Sequence, residues 1–194
     1  MNSAVSLVVL SCLLTGAQCL STGAPSAACA NISPDPSASA HNAAPQTSTV
    51  PYALTGLPPN GNYTPGMSYT LTLAGNATQM FRGFLFVAMS DGQRVGSFTP
   101  GANGQVTCSD NLGVTHTNAD DKTTVSFTWT APPVGTGEVE VRFAVVMVRQ
   151  TYWANQLAGT LQEGPSDGSA AYTSQGTLAL ILLALLSLAM MLGF

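Results

Sequence analysis

The residues in this chain whose types could do chemistry are few and scattered. His41 and His116 are the only histidines. Two imidazoles could share a metal ion, but with no thiolate near either of them they make a poor site, and each is expected to serve a surface or turn position. Asp120 and Asp121 form the only adjacent acidic pair, in the stretch HTNADDK. That loop could hold calcium through carboxylates and carbonyls, yet it lacks the D-x-D-x-D-G spacing of a calcium loop, and a solvated turn is the better expectation. Arg82 opens the otherwise apolar run MFRGFLFVAM and is one of only five Lys and Arg residues. It is the kind of lone cation that the floor of a catalytic site uses. However, the chain has no G-x-S-x-G, H-E-x-x-H, C-x-x-C, Walker A or G-x-G-x-x-G motif. The expected catalytic set is none, the expected metal set is none, and no cofactor is implied.

The elements that must position these residues follow from composition. The chain has 194 residues, 45% hydrophobic and 7% charged, with a formal net charge of -4. This balance excludes a basic nucleic-acid binder and a disordered acidic tail. All the charged residues lie between Asp35 and Asp167, which leaves both ends uncharged. Residues 1–19, MNSAVSLVVLSCLLTGAQC, have the layout of a secretory signal peptide, with Ala17 and Cys19 at the -3 and -1 positions. Residues 177–194, TLALILLALLSLAMMLGF, form an apolar tail that would span about 27 Å as a helix. Before it come the small residues Ser166, Asp167 and Gly168 and a polar spacer, 167–176 in broad outline. That order fits a GPI-anchor signal with attachment at one of those three residues; a single transmembrane helix without a cytoplasmic tail is the alternative. Either places the protein on the extracellular face of the cell membrane, and secretion is the remaining option.

Between the two signals lies an expected ectodomain, residues 20–166, large enough to bury a real core. Cys12 and Cys19 leave with a signal peptide cleaved after residue 19, so Cys29 and Cys108 remain and allow one disulfide. Three sequons, at Asn31, Asn62 and Asn76, fit the same compartment and mark surface segments if glycosylated.

Period-2 patterning dominates the middle. Tyr69, Leu71 and Leu73 alternate with threonines, Val125, Phe127 and Trp129 with Ser126 and Thr128, and Val139, Val141, Phe143, Val145 and Met147 form a third series. Clusters such as TPGMS, SDGQ, PGANG and APPVGTG separate them with turn residues. The pattern predicts an all-β fold, an antiparallel sandwich, with no helix outside the terminal apolar segments. Residues 83–89 are expected to be a central strand, apolar on both faces, with Arg82 at the rim against backbone carbonyls or an acid. The Ala-, Ser- and Pro-rich stretch from Ser21 to Pro59 is expected to wrap or edge the sandwich. Tyr152 and Trp153 could form an exposed binding platform, though a buried pair at a strand end is the stronger expectation.

Taken in order, YTPGMSYTLTLAG, FRGFLFVA, VGSF, the lone Cys108, VTHTNADDK, VSFTWTAP, GEVEVRFAVV and TYW resemble the Reeler domain, the amino-terminal domain type of reelin. The earlier CANISPDPSASAHNAAPQTSTVPY is similar to the opening of that family, so the resemblance covers about residues 28–154. It implies an immunoglobulin-like β-sandwich and agrees with a Cys29–Cys108 bridge. Reeler domains also stand at the front of ferric-chelate-reductase-like proteins and in small immune-induced defence proteins. In the former the haem histidines belong to a cytochrome b561 region absent from this sequence. The resemblance implies an extracellular recognition or defence role and supplies no catalytic mechanism. With the missing motifs and the acidic charge balance, the expectation is a non-catalytic cell-surface interaction module whose ligand residues are unknown, with a protein, a glycan or a microbial surface as partner and no nucleic acid; a secreted defence effector and an accessory ectodomain related to ferric-chelate reductases are the alternatives. Nine acids against five bases disfavour direct membrane lysis by a defence effector.

Overall fold

The structure is a computed structural model that describes residues 22–35 and 41–165. The proposed signal peptide, the anchor candidates Ser166, Asp167 and Gly168, the spacer and the apolar tail lie outside the described residues. Among those described, no helix is long and apolar enough to cross a membrane.

Among the described residues, eleven strands follow one short α-helix, α1 (Ala28–Asn31), with a single 3-10 turn at Pro59–Gly61. They are β1 (Ala53–Thr55), β2 (Asn62–Tyr63), β3 (Ser68–Ala74), β4 (Gly83–Ser90), β5 (Gln93–Arg94) and β6 (Ser97–Pro100), then β7 (Gly104–Thr107), β8 (Gly113–His116), β9 (Thr124–Thr130), β10 (Val139–Val148) and β11 (Thr151–Glu163). One sheet has the order β1-β3-β9-β6; the other runs β2-β11-β10-β4-β8-β7, with β5 hairpinned onto β4. Every pair is antiparallel except the two-residue contact of β2 with the end of β11. At the β4–β5 hairpin Asp91 (φ 47°) and Gly92 (φ 75°) both take positive φ, the requirement of a two-residue turn that follows strand twist.

The alternating residues meet between the sheets. Leu71 and Leu73 of β3 and Val125, Phe127 and Trp129 of β9 face Phe84 and Phe86 of β4 and Val141, Phe143 and Val145 of β10. Phe86 lies 4.7 Å from Phe127, centroid to centroid, and stacks on Phe143 at 5.1 Å. Aromatic packing of this kind adds about 0.5–1.5 kcal/mol per pair to simple burial.

The second apolar face of β4 has a separate cause. Leu85 and Val87, with Ala144 of β10, point away from the sandwich interior and are covered by Ala28, Cys29 and Ile32. The amino-terminal segment is thus a third layer over the large sheet. Its one turn of helix is too short to leave a 3.6-residue pattern, which is why the sequence predicts no helix there. The Cys29–Cys108 disulfide ties this layer to the loop between β7 and β8. Hydrogen bonds complete the attachment: Ala24 N–H donates to Thr115 Oγ1 (2.9 Å), Thr107 Oγ1 donates to Ala24 O (2.9 Å), and Asn155 N–H donates to Ile32 O (2.8 Å). Further along, Gln46 N–H donates to Tyr152 O (2.8 Å), and β1 then becomes an edge strand of the small sheet.

Candidate functional site

At one end of the large sheet the covering layer leaves a gap. Four segments surround a cleft of about 200 Å³: the chain from Gly23 to Ala28, the start of β4, the end of β8 and the end of β10. Its floor is the outer face of two cross-strand pairs, Leu85 with Ala144 and Gly83 with Val146. Around the rim stand Asp35, His41, Arg82 and Arg149, and His116 forms part of the wall. The cleft therefore brings together both histidines and two of the five basic residues.

Each polar residue there has a structural anchor. Arg82 donates from Nε to Asp121 Oδ1 at 2.7 Å, and this pair stays about half exposed. Asp121, the guanidinium's hydrogen bond foremost, is held below the usual carboxylate range by that pairing. His41 sits at a turn, its Nδ1 at 2.6 Å from Arg149 O and its ring edge-on to Tyr152 at 5.0 Å. His116 departs from the expected surface or turn role: it is the last residue of β8 and only 9% exposed. Burial is tolerated because Phe84 N–H donates to its Nδ1 at 3.2 Å, inside the strand ladder. Gly83 makes the room. A Cβ at that position would stand 3.0 Å from His116 Cε1, so the Arg-Gly step that opens the strand lets the imidazole lie across it.

The HTNADDK loop is not simply a solvated turn. Asp120 is exposed, but Lys122 is only 5% exposed, and its ammonium donates to three carbonyls: Arg82 O (2.9 Å), Asn118 O (2.8 Å) and Asp120 O (2.8 Å). The carbonyls open to a cation in the sequence reading face the chain's own lysine. Burial pulls this ammonium below the ordinary lysine value, opposed by Asp120 and Asp121. Phe81 and Lys122 also exchange backbone hydrogen bonds at 2.9 and 2.8 Å, which fixes the loop beside Arg82. Sequence reasoning missed Lys122. Its one visible signal was that a lysine follows two aspartates at the start of a β-patterned run. Among the described residues, no group of three or more His, Cys, Asp or Glu side chains is arranged to hold a metal ion.

The remaining candidates lie apart. Tyr152 and Trp153 are 0% and 5% exposed and hold the extended chain after His41 in place. Tyr152 Oη donates to Ala43 O (2.7 Å) and Trp153 Nε1 donates to Ser48 O (3.0 Å), so the pair is a buried anchor and not a platform. Asn31, Asn62 and Asn76 are all exposed. Asn76 Oδ1 accepts from Thr78 N–H (2.9 Å) and Thr78 Oγ1 (2.7 Å), a local turn that presents the amide at the surface.

Comparison with known proteins agrees with this architecture. A protein of Antheraea mylitta named "Putative defense protein 3" is 35% identical over 136 residues, which is 68% of this chain and 79% of that protein. Spondin-1 of Gallus gallus is 30% identical over 103 residues, 48% of this chain and 13% of its own length. The crystal structure of the human F-spondin Reeler domain superposes with a TM-score of 0.55 at 25% identity, covering 63% of this chain and 94% of that one. The Reeler domain family model matches residues 27–168, most of the chain and all of the described sandwich from α1 to β11, and the protein belongs to the Reeler domain family.

Proposed function

We propose that the protein is a non-catalytic recognition module that works on the extracellular face of the cell membrane in defence, binding an extracellular protein, a glycan or a microbial surface. The similarity to the defense-named protein of Antheraea mylitta, along 79% of that protein's length, is the observation that carries this reading. The side-chain geometry supports it. Arg82, Lys122 and His116 near the cleft are held by an acid and backbone groups in structural roles, and the Thr115 hydroxyl, 3.1 Å from His116 Nδ1, is itself committed to Phe84 O at 2.6 Å. The disulfide supports an oxidising compartment.

Attachment is through the carboxyl-terminal apolar segment, by lipid at Ser166, Asp167 or Gly168 or by a single helix. Phosphatidylinositol-specific phospholipase C separates these: release from the producing cell is expected, and protein that stays bound refutes the lipid anchor. A glycan array probed with the protein, together with proximity labelling on cells that display it, tests the recognition role. Absence of reproducible binding in both refutes it.

A secreted defence effector is the second reading, favoured by the same relative; recovery of the protein wholly in the medium, with its tail intact, would select it. As an accessory ectodomain related to ferric-chelate reductases, the domain would act beside a haem protein and carry no haem itself. A Soret band in the purified protein contradicts both this and the non-redox reading.

A further inference from the structure

We propose that the cleft between the amino-terminal layer and the large sheet is a binding site for a small monoanionic amphiphile, a carboxylate on an apolar body of about six to eight carbons. Packed interiors leave few voids larger than a water molecule, and this one persists because small residues meet there from every side. Gly23, Ala24 and Ala28 line it from the covering layer, and Gly83, Ala119 and Ala144 from the sheet and the loop beyond β8. A cavity of about 150 Å³ is enough to hold benzene, which sets the scale of the apolar body for a space of about 200 Å³.

The polar side of the cleft decides the head group. Arg82, Arg149 and Asp35 line it and Asp121 pairs with Arg82 at 2.7 Å, so the formal charges there balance and the head group is decided by the guanidinium donors that Asp121 does not take. Arg82 commits its Nε to Asp121, which fixes the plane of the guanidinium at the mouth. A guanidinium carries five N–H donors in a rigid fork, so the terminal nitrogens can serve a carboxylate. A dianion fits less well, because Asp35 on the rim and Asp121 beside Arg82 would repel the second charge. The apolar body would lie on the Leu85–Ala144 and Gly83–Val146 pairs, under the segment that the disulfide holds down. The most exposed floor residue is Val146, at the mouth end, where a larger side chain would fill the space.

The test uses the full chain as the producing cell processes it, with octanoate as probe and octanol and acetate as controls. Saturation-transfer NMR and calorimetry are expected to show octanoate bound through its alkyl end, acetate not bound, and octanol bound without dependence on Arg82. Arg82→Gln weakens octanoate about tenfold, the loss of one charge-assisted contact. Val146→Phe abolishes binding of both alkyl probes, and near-UV circular dichroism confirms that each variant is folded. If Arg82→Gln does not fold, the Val146→Phe result and the octanoate-to-acetate contrast decide. No saturation transfer at about 1 mM octanoate, the weakest affinity worth calling a site, overturns the proposal. So does equal octanoate affinity in a folded Arg82→Gln or Val146→Phe variant. The site stands apart from the recognition role: octanoate is read on purified protein and recognition on arrays and cells, so either can fail alone.

Discussion

Replacing Cys108 with serine separates the covering layer from the sandwich, and the size of the effect can be worked out from the structure. The bridge joins positions 79 residues apart. The chain-entropy model gives about 4.5 kcal/mol for closing such a loop in the unfolded chain. With an unfolding entropy of about 2.1 cal/mol/K per residue, a folded unit of roughly 140 residues loses about 15 °C in melting temperature. Beyond this global loss, the geometry predicts where the damage begins. Without the bridge the amino-terminal layer keeps only a few hydrogen bonds, such as those of Ala24 to the hydroxyls of Thr115 and Thr107, and the contacts of Ala28 and Ile32 on Leu85, Val87 and Ala144. Limited proteolysis of Cys108→Ser is therefore expected to cut first within residues 22–35 while β3 to β11 stay intact, and dye binding should report a newly exposed apolar face. Cys29→Ser and the double variant should behave alike. A Cys108→Ser protein with unchanged melting temperature and no early cut in that segment would refute the view of the segment as a covalently held third layer.

Other perturbations probe single interactions. Lys122→Met leaves three inward-facing carbonyls without their donor and should lower stability by about 3 kcal/mol in denaturant titration, whereas Arg82→Gln, which breaks only an exposed pair, leaves the midpoint essentially unmoved. Tyr152→Phe removes the bond to Ala43 O and should cost about 1 kcal/mol in the same assay, with faster hydrogen exchange at Gln46 as its local mark. Glu163 accepts from Gly135 and Gly137 N–H at 2.7 Å each, and those bonds lower its carboxyl below the ordinary value of 4.5. Because the folded value is depressed, its stabilisation is complete above about pH 4.5 and is lost as pH falls through the folded value. Glu163→Gln should flatten that acid limb, and carbon-detected NMR should show the carboxyl titrating below a model glutamate.

Strands β3, β9 and β10 were legible because one physical rule wrote them: a half-buried strand alternates, and Leu71, Leu73, Val125, Phe127 and Trp129 obey it. β4 was legible too, although the reason for its second apolar face was not. That face depends on residues some 55 positions away, Ala28 to Ile32, which carry no strand pattern themselves. β11 was harder to see. Its pairing with β10 slips at three places, and its exposure alternates only in part, so Thr151–Glu163 reads as a buried Tyr-Trp pair followed by mixed residues. Bulges break the period that a sequence reading counts.

The site was less legible than the fold, since its parts are defined by backbone. His116 is buried because an amide 32 positions earlier meets its ring and because Gly83 has no side chain; neither fact changes the residue type at 116. Lys122 sits in a run of charges that reads as solvent-facing, yet two carbonyls of its own loop and one from Arg82 curl around its ammonium. The cleft itself is an absence, produced by glycines and alanines from segments far apart in the chain, and no periodicity records it. Arg82 joins the legible and the illegible parts. Its place at the rim against an acid follows from an arginine at the mouth of an apolar strand, whereas its place at the mouth of a cleft follows only from where the amino-terminal layer stops. The same side chain can therefore be almost neutral for stability and decisive for a ligand, which is why the Arg82→Gln variant separates the two roles.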